Sequence, residues 1–199
     1  MAVTIIDIKC PSCGGAVDTG QKTCKFCGNP VIISTFANVK DMPMDVIDKY
    51  ADVYRKNLSV SPEHAVLNYS LAMCYLKLKL YDKALGAFEK AMEDDFNNSE
   101  IFFYAAICLL KGKKAFLTPR NTIDKIEEYI NAALMIEPKG IYYYFWSYIK
   151  YDYFNRKFYN TSPTYQEALE MADTAGVKVS SFDKDELFWI LGVSRPETL

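Results

Sequence analysis

The sequence predicts a mainly α-helical chain, built from repeated helix pairs and preceded by a small β module. Three observations carry that expectation. Four cysteines fall into two Cys-x-x-Cys pairs between Cys10 and Cys27. Beyond Pro43, apolar residues recur at the three- and four-residue spacing of helix faces. Within that helical stretch, a pattern of small and aromatic residues repeats at an interval of about 34.

The cysteine pairs read Cys10-Pro11-Ser12-Cys13 and Cys24-Lys25-Phe26-Cys27, followed by Gly14 and Gly28. A two-residue gap lets both thiolates of a pair reach one metal from a tight turn, and the trailing glycine supplies the backbone freedom such a turn needs. Two pairs make a tetrahedral S₄ site of Cys10, Cys13, Cys24 and Cys27, the geometry that suits zinc ahead of iron. This stretch resembles a zinc ribbon of two CPxCG-type knuckles, with Lys25 where the second knuckle often has proline. Thr4 to Lys9 and Val31 to Thr35 are the β-branched runs expected to supply its strands. Four thiolates leave no open coordination position, so the expected cofactor is structural Zn²⁺. Two disulfides are the competing use of these cysteines and need an oxidising compartment. Redox chemistry at Cys10 and Cys13 is a further reading, disfavoured by the matching second pair.

Composition narrows the class. Half of the 199 residues are hydrophobic, enough for a sizeable core, and the formal net charge of −2 gives no reason for general attraction to nucleic acid or to an anionic membrane. No apolar run reaches the ~20 residues that span a bilayer. The Met1-Ala2-Val3 start lacks a charged-then-apolar leader, so a cytoplasmic location is expected. The expected domains are residues 1–40 (ribbon), 41–180 (helical repeats) and 181–199 (terminal helix and tail). Cys74 and Cys108 sit in apolar helical patterns and read as packing residues.

Residues 36–43 break the strand pattern and read as a linker. Pro43 opens a helix to about Asn57, whose face is Met44, Ile47, Ala51, Tyr54 and Leu58. Ser61-Pro62-Glu63 starts the next helix. Ala65 to Asn98 is then one repeat, with Leu71, Ala72 and Tyr75 on its first helix and Ala84, Phe88 and Ala91 on its second. That pattern resembles the tetratricopeptide repeat (TPR), with Asn68 and Phe96 as departures. A second unit follows with Ala105, Ala106 and Leu109, then Ile126, Ile130, Ala133 and Pro138 after a Lys111–Asn121 loop. A third has Ser147, Tyr148 and Tyr151, then Ala168, Ala172 and Ala175. The helix 43–57 resembles an orphan half-repeat covering the edge of the first unit. Asp183 with Glu186 reads as a capping box for a terminal helix that ends at Gly192. The fold class is therefore a TPR-like α-solenoid of about three helix pairs plus flanking helices, with a small N-terminal β zinc ribbon.

The TPR resemblance implies a groove lined by the first helices. It points to Val66, Tyr69 and Met73, then Glu100, Phe103 and Ile107, then Tyr142, Phe145 and Ile149. The groove either takes an apolar peptide or helix, or is filled by the chain's own terminal helix or by a second subunit. The lysine and asparagine set with which some relatives clamp a C-terminal carboxylate is missing. The aromatic run Tyr142 to Tyr159 reads as a buried helix rather than a base-stacking surface. The cluster Lys111, Lys113, Lys114 and Arg120 reads as a solvated loop. Four lysines, two aspartates and a tetrathiolate zinc leave residues 1–40 near neutral, which disfavours nucleic acid as a partner. His64 has no evident nucleophile beside it, and no Gly-rich phosphate loop appears. The expected function is a non-enzymatic protein–protein interaction adaptor. The alternatives are a nucleic-acid-associated regulator and a self-assembling scaffold.

Overall fold

The computed structural model describes residues 5–176 and 178–199, mainly helical with one two-stranded sheet near the N-terminus. The chain divides into two compact units, Met1–Phe96 and Asn97–Leu199.

In the first unit, β1 (Asp7–Lys9) pairs antiparallel with β2 (Ala16–Asp18), Ile8 opposite Val17. Those two side chains are buried while their strand neighbours are more open, the two-residue alternation of a sheet with one covered face. Of the expected first strand, Thr4 lies outside the described residues, and the hairpin starts later than predicted. Val31 to Thr35 forms no strand. It is extended chain leading to a 3₁₀ turn, Phe36–Asn38, with Val31, Ile32 and Ile33 buried.

Helix α1 (Met44–Leu58) follows Pro43 and buries Ile47, Tyr50, Ala51 and Tyr54. Helix α2 (Ala65–Lys77) packs against α1 and against α3 (Tyr81–Asp94). It starts at His64, which caps it by accepting the Leu67 N–H through Nδ1; Ser61-Pro62-Glu63 is the turn before it. Ala72, Ala84, Phe88 and Ala91 are fully buried, so the small residues expected at close helix contacts stand where α2 meets α3. Asn68, a departure from the repeat pattern, is buried and donates from Nδ2 to the Pro62 carbonyl at 2.8 Å, tying α2 to the chain that enters it.

In the second unit, α4 (Ser99–Leu109) packs on α5 (Arg120–Ile136), and α6 (Gly140–Ile149) on α7 (Tyr165–Thr174). Ala105, Ala106, Ile126, Ile130, Ala133, Ser147 and Ala168 are fully buried. Helix α6 runs on through a π-helical turn, Lys150–Phe154, to a 3₁₀ turn, Asn155–Lys157. Such widened turns need local support, and here two buried ionic side chains belong to it. Lys150, 3% exposed, bonds Glu127 Oε1 and Thr161 Oγ1, both at 2.7 Å, and lies 4.7 Å from the centre of the Phe154 ring. Glu127 also accepts the Trp146 indole N–H at 2.9 Å. Asp152 accepts from Arg156 at 2.5 Å and from the Phe116 N–H at 2.9 Å.

Helix α8 (Ser181–Leu191) ends on Gly192 at φ +71, as expected. Its capping box is Ser180 with Asp183, three residues earlier than Asp183 with Glu186. The Ser180 Oγ takes the Asp183 N–H at 3.1 Å, and the Asp183 carboxylate takes the Ser180 N–H at 2.9 Å.

Candidate metal centre

The two knuckles fold alike because their sequences place the same groups at the same offsets. In the first, the Gly14 N–H donates to the Cys10 carbonyl at 2.9 Å and the Cys10 N–H to the Gly15 carbonyl at 2.8 Å. In the second, Gly28 donates to Cys24 and Cys24 to Asn29, both at 2.8 Å. Gly14 and Gly28 take φ of +76 and +75, the left-handed region that a β-carbon resists. Gly15 serves a different need: a β-carbon there would stand 2.6 Å from the Phe26 ring.

These turns aim four sulfurs at one point. All four Sγ atoms lie within 4.8 Å of one another, with Cys10 to Cys27 at 3.8 Å and Cys13 to Cys24 at 3.7 Å. A tetrahedral zinc with Zn–S bonds of about 2.3 Å requires sulfurs about 3.8 Å apart. A disulfide would need about 2.05 Å. The donor set therefore fits a four-coordinate metal ion, is consistent with zinc, and does not fit two disulfides. Both short separations run between knuckles, so an ion held there joins the two turns. Cys10 and Cys24 are buried, whereas Cys13 and Cys27 face solvent.

Thiols this close cannot ionise independently. Burial opposes the Cys24 thiolate, but backbone N–H groups of Phe26 and Cys27 and the neighbouring thiols draw its pKa down to about 7. The Gly15 N–H favours the Cys13 thiolate, yet contact with the Cys27 sulfur, burial and the other thiols push that group up to about 12. A divalent cation relieves this conflict by taking all four as thiolates, releasing protons as it binds.

The centre is built into its unit. Tyr50 Oη donates to the Pro30 carbonyl at 2.9 Å, and Tyr54 Oη to the Val31 carbonyl at 2.8 Å. Ser70 Oγ, on α2, accepts the Ile33 N–H at 3.2 Å, while its own proton goes to the Val66 carbonyl at 2.8 Å. His64 Nε2 meets Thr19 Oγ1 at 3.4 Å. Since His64 Nδ1 accepts from Leu67, the proton sits on Nε2 and the imidazole donates to Thr19. These contacts explain why Val31 to Thr35 makes no strand: helix side chains take backbone groups that a ladder would have used. Burial holds the Tyr54 phenol well above its usual pKa, so it remains a donor. The sequence places Tyr54 on the apolar face of this helix but does not show that Tyr50 and Tyr54 tether the chain after the knuckles. The available signal was two hydroxyls on a face bound for the core, each needing an acceptor. Tyr54→Phe leaves the Val31 carbonyl unpaired in a buried site. It is expected to lower the stability of the first unit by about 1–3 kcal/mol in urea unfolding.

Of the residues expected to line a groove, Val66 and Glu100 are half-buried and the others are buried. Tyr69 packs edge-on against Phe88, and Met73, Ile107, Phe145 and Ile149 are fully enclosed. In the second unit the covering element is α8, which lies on α4 and α6 and sets Phe188 edge-on against Tyr144 and Tyr148. Beside that cover remains a cavity of about 500 Å³, where Phe103 and Tyr142 are joined by Tyr104, Glu100, Lys139 and Glu186. Burial alone would lower the Lys139 pKa, but hydrogen bonds and charge from Glu137 and Glu100 raise it. That ammonium is thus a fixed positive charge between two carboxylates. No protein-family model matches the chain, and no curated protein is similar to it in sequence.

Proposed function

We propose that this protein is a non-catalytic adaptor, in which a structural Zn²⁺ ribbon stiffens the first unit and the helix pairs form TPR-like repeats that recognise another protein. The pairs α2–α3, α4–α5 and α6–α7, with small residues at their contacts, support the repeat reading. A metal held by four thiolates has no position left for water or substrate, which supports a structural rather than catalytic role.

The observation that carries the recognition reading is the cavity beside α8. Its volume of about 500 Å³ lies within the range of sites that enclose a small ligand or a few side chains. It joins apolar walls (Phe103, Ile141, Leu187) to a charged rim of Glu100, Lys139 and Glu186, so it offers both burial and orientation to a short peptide segment. Selection from a random peptide library on the purified protein tests this. Sequences enriched on the wild type are expected to be lost on Ile141→Trp, whose ring would fill the cavity, while its thermal unfolding stays near the wild-type value. Equal enrichment on both proteins would remove the cavity from the recognition role.

A further inference from the structure

Two segments that lie apart in sequence meet on one face of the second unit. The connection between α4 and α5 carries Lys111, Lys113, Lys114 and Arg120 around a short 3₁₀ turn, Ala115–Leu117. The end of α6 carries Arg156, Lys157, Phe158 and Tyr159. Buried Asp152 pins them together by accepting the Phe116 N–H, while the Ala115 N–H donates to the Tyr148 hydroxyl at 3.3 Å. The Arg156 guanidinium lies 4.6 Å and the Lys157 ammonium 5.1 Å from the centre of the Phe116 ring. Two carboxylates at the patch are ion-paired within it, Asp124 with Arg120 and Asp152 with Arg156. The face is therefore basic although the chain as a whole is slightly acidic.

Next to these contacts, two apolar side chains stand in solvent. Leu117 is 68% exposed and Phe158 94%. Phe158 is also held at φ +59, a left-handed backbone that is strained for a residue with a β-carbon. Glycine or asparagine would suit that position better, so neither local conformation nor core packing accounts for a phenylalanine there.

We propose that this face docks the protein on an anionic lipid surface. Leu117 and Phe158 enter the interface, and Lys113, Lys114, Arg156 and Lys157 meet the lipid phosphates. One aliphatic and one aromatic protrusion on two segments rich in cations suit an interface that takes apolar groups of either kind. A base-stacking track would use successive open rings, whereas those of Phe116 and Tyr153 already carry cations from the chain itself, and the exposed Leu117 offers no ring beside Phe158 and Tyr159. Among the described residues no helix is long and apolar enough to cross a membrane, so the association is peripheral and reversible. Each cation near such a surface raises partitioning about fivefold at moderate salt.

Co-sedimentation with vesicles of phosphatidylcholine, alone or mixed with phosphatidylserine, tests the proposal. Retention is expected on the mixed vesicles only, falling as salt is raised. The K113E/K114E variant is expected to bind them at least about thirtyfold more weakly. Phe158→Gly separates docking from folding: it removes the ring and relaxes the left-handed backbone. It is expected to melt no lower than the wild type while binding about tenfold more weakly. No retention on mixed vesicles at low salt, or full retention of Phe158→Gly, overturns the proposal. A labelled single-stranded oligonucleotide forms the other arm. If it binds, loses affinity in K113E/K114E, and vesicles do not bind, the face is a nucleic-acid platform and the lipid proposal falls.

Discussion

Stripping the metal with a strong chelator is expected to lower the unfolding transition of the first unit by about 15–30 °C, leaving that of the second unit in place. The magnitude follows from the tetrathiolate centre. Metal binding contributes about 10–16 kcal/mol to isolated zinc-finger folding at neutral pH. Even about 4 kcal/mol lost from a unit of this size shifts its midpoint by that amount. The effect reaches beyond the knuckles because Pro30, Val31 and Ile33 lie just past Cys27 and hold the partners of Tyr50, Tyr54 and Ser70. Once the second knuckle loosens, the two tyrosine hydroxyls lose their acceptors inside the unit. Cys24→Ser should reproduce the loss, and elemental analysis of protein purified without chelator should find one zinc per chain. Calorimetry with and without chelator is the measurement. A first transition that does not move would remove the structural role. Acid should act in the same direction, since protons compete with the metal for all four sulfurs and its affinity falls as pH falls.

The second large effect is expected at Lys150. Lys150→Met keeps the length of the side chain but leaves the Glu127 carboxylate without its counter-charge. Breaking a buried pair from one side costs about 3–5 kcal/mol, so the second unit should melt about 15–30 °C lower. The double change Lys150→Met with Glu127→Gln removes both charges and keeps a side-chain oxygen to accept the Trp146 N–H. It should recover more than half of the loss. If the single and double variants melt alike, the pair is not what supports the π-helical turn. Thermal unfolding of the three proteins followed by circular dichroism is the measurement.

The parts legible in the sequence were those whose geometry is local. The clustering of the four cysteines was legible because a two-residue gap and a trailing glycine describe a knuckle without reference to the rest of the chain. Pro43 before α1 and Gly192 after α8 are likewise decided within one turn of backbone. Ala72, Ala84, Ala105, Ala133 and Ala168 could be placed in helix contacts because a small residue at helical spacing has few other uses. Distant partners hid the rest. Val31 to Thr35 has the composition of a strand, but its backbone is claimed by residues 23 and 37 positions away. Ser180 and Asp183 both suit a helix start with an acid three residues later, and composition alone does not choose between the registers. Phe145 and Ile149 read as groove lining with the chain's own terminal helix as one of three occupants, and the apolar content of that helix does not by itself say that it lies on α4 and α6. Lys150 and Asp152 carried no structural signal of their own, because the sequence does not show Glu127, Thr161 or the Phe116 N–H arriving beside them.

The alternation of shielded and solvent-facing cysteines gives the tetrathiolate a front and a back. Each knuckle supplies one of both kinds, so an incoming chelator, competing ion or oxidant meets Cys13 and Cys27 first. Were a metal held there, Cys13 and Cys27 would be the ligands open to exchange, and Cys10 and Cys24 the ones shielded from it. A partly opened intermediate would keep two sulfurs inside the fold, from which the centre can close again once the attacking reagent is withdrawn.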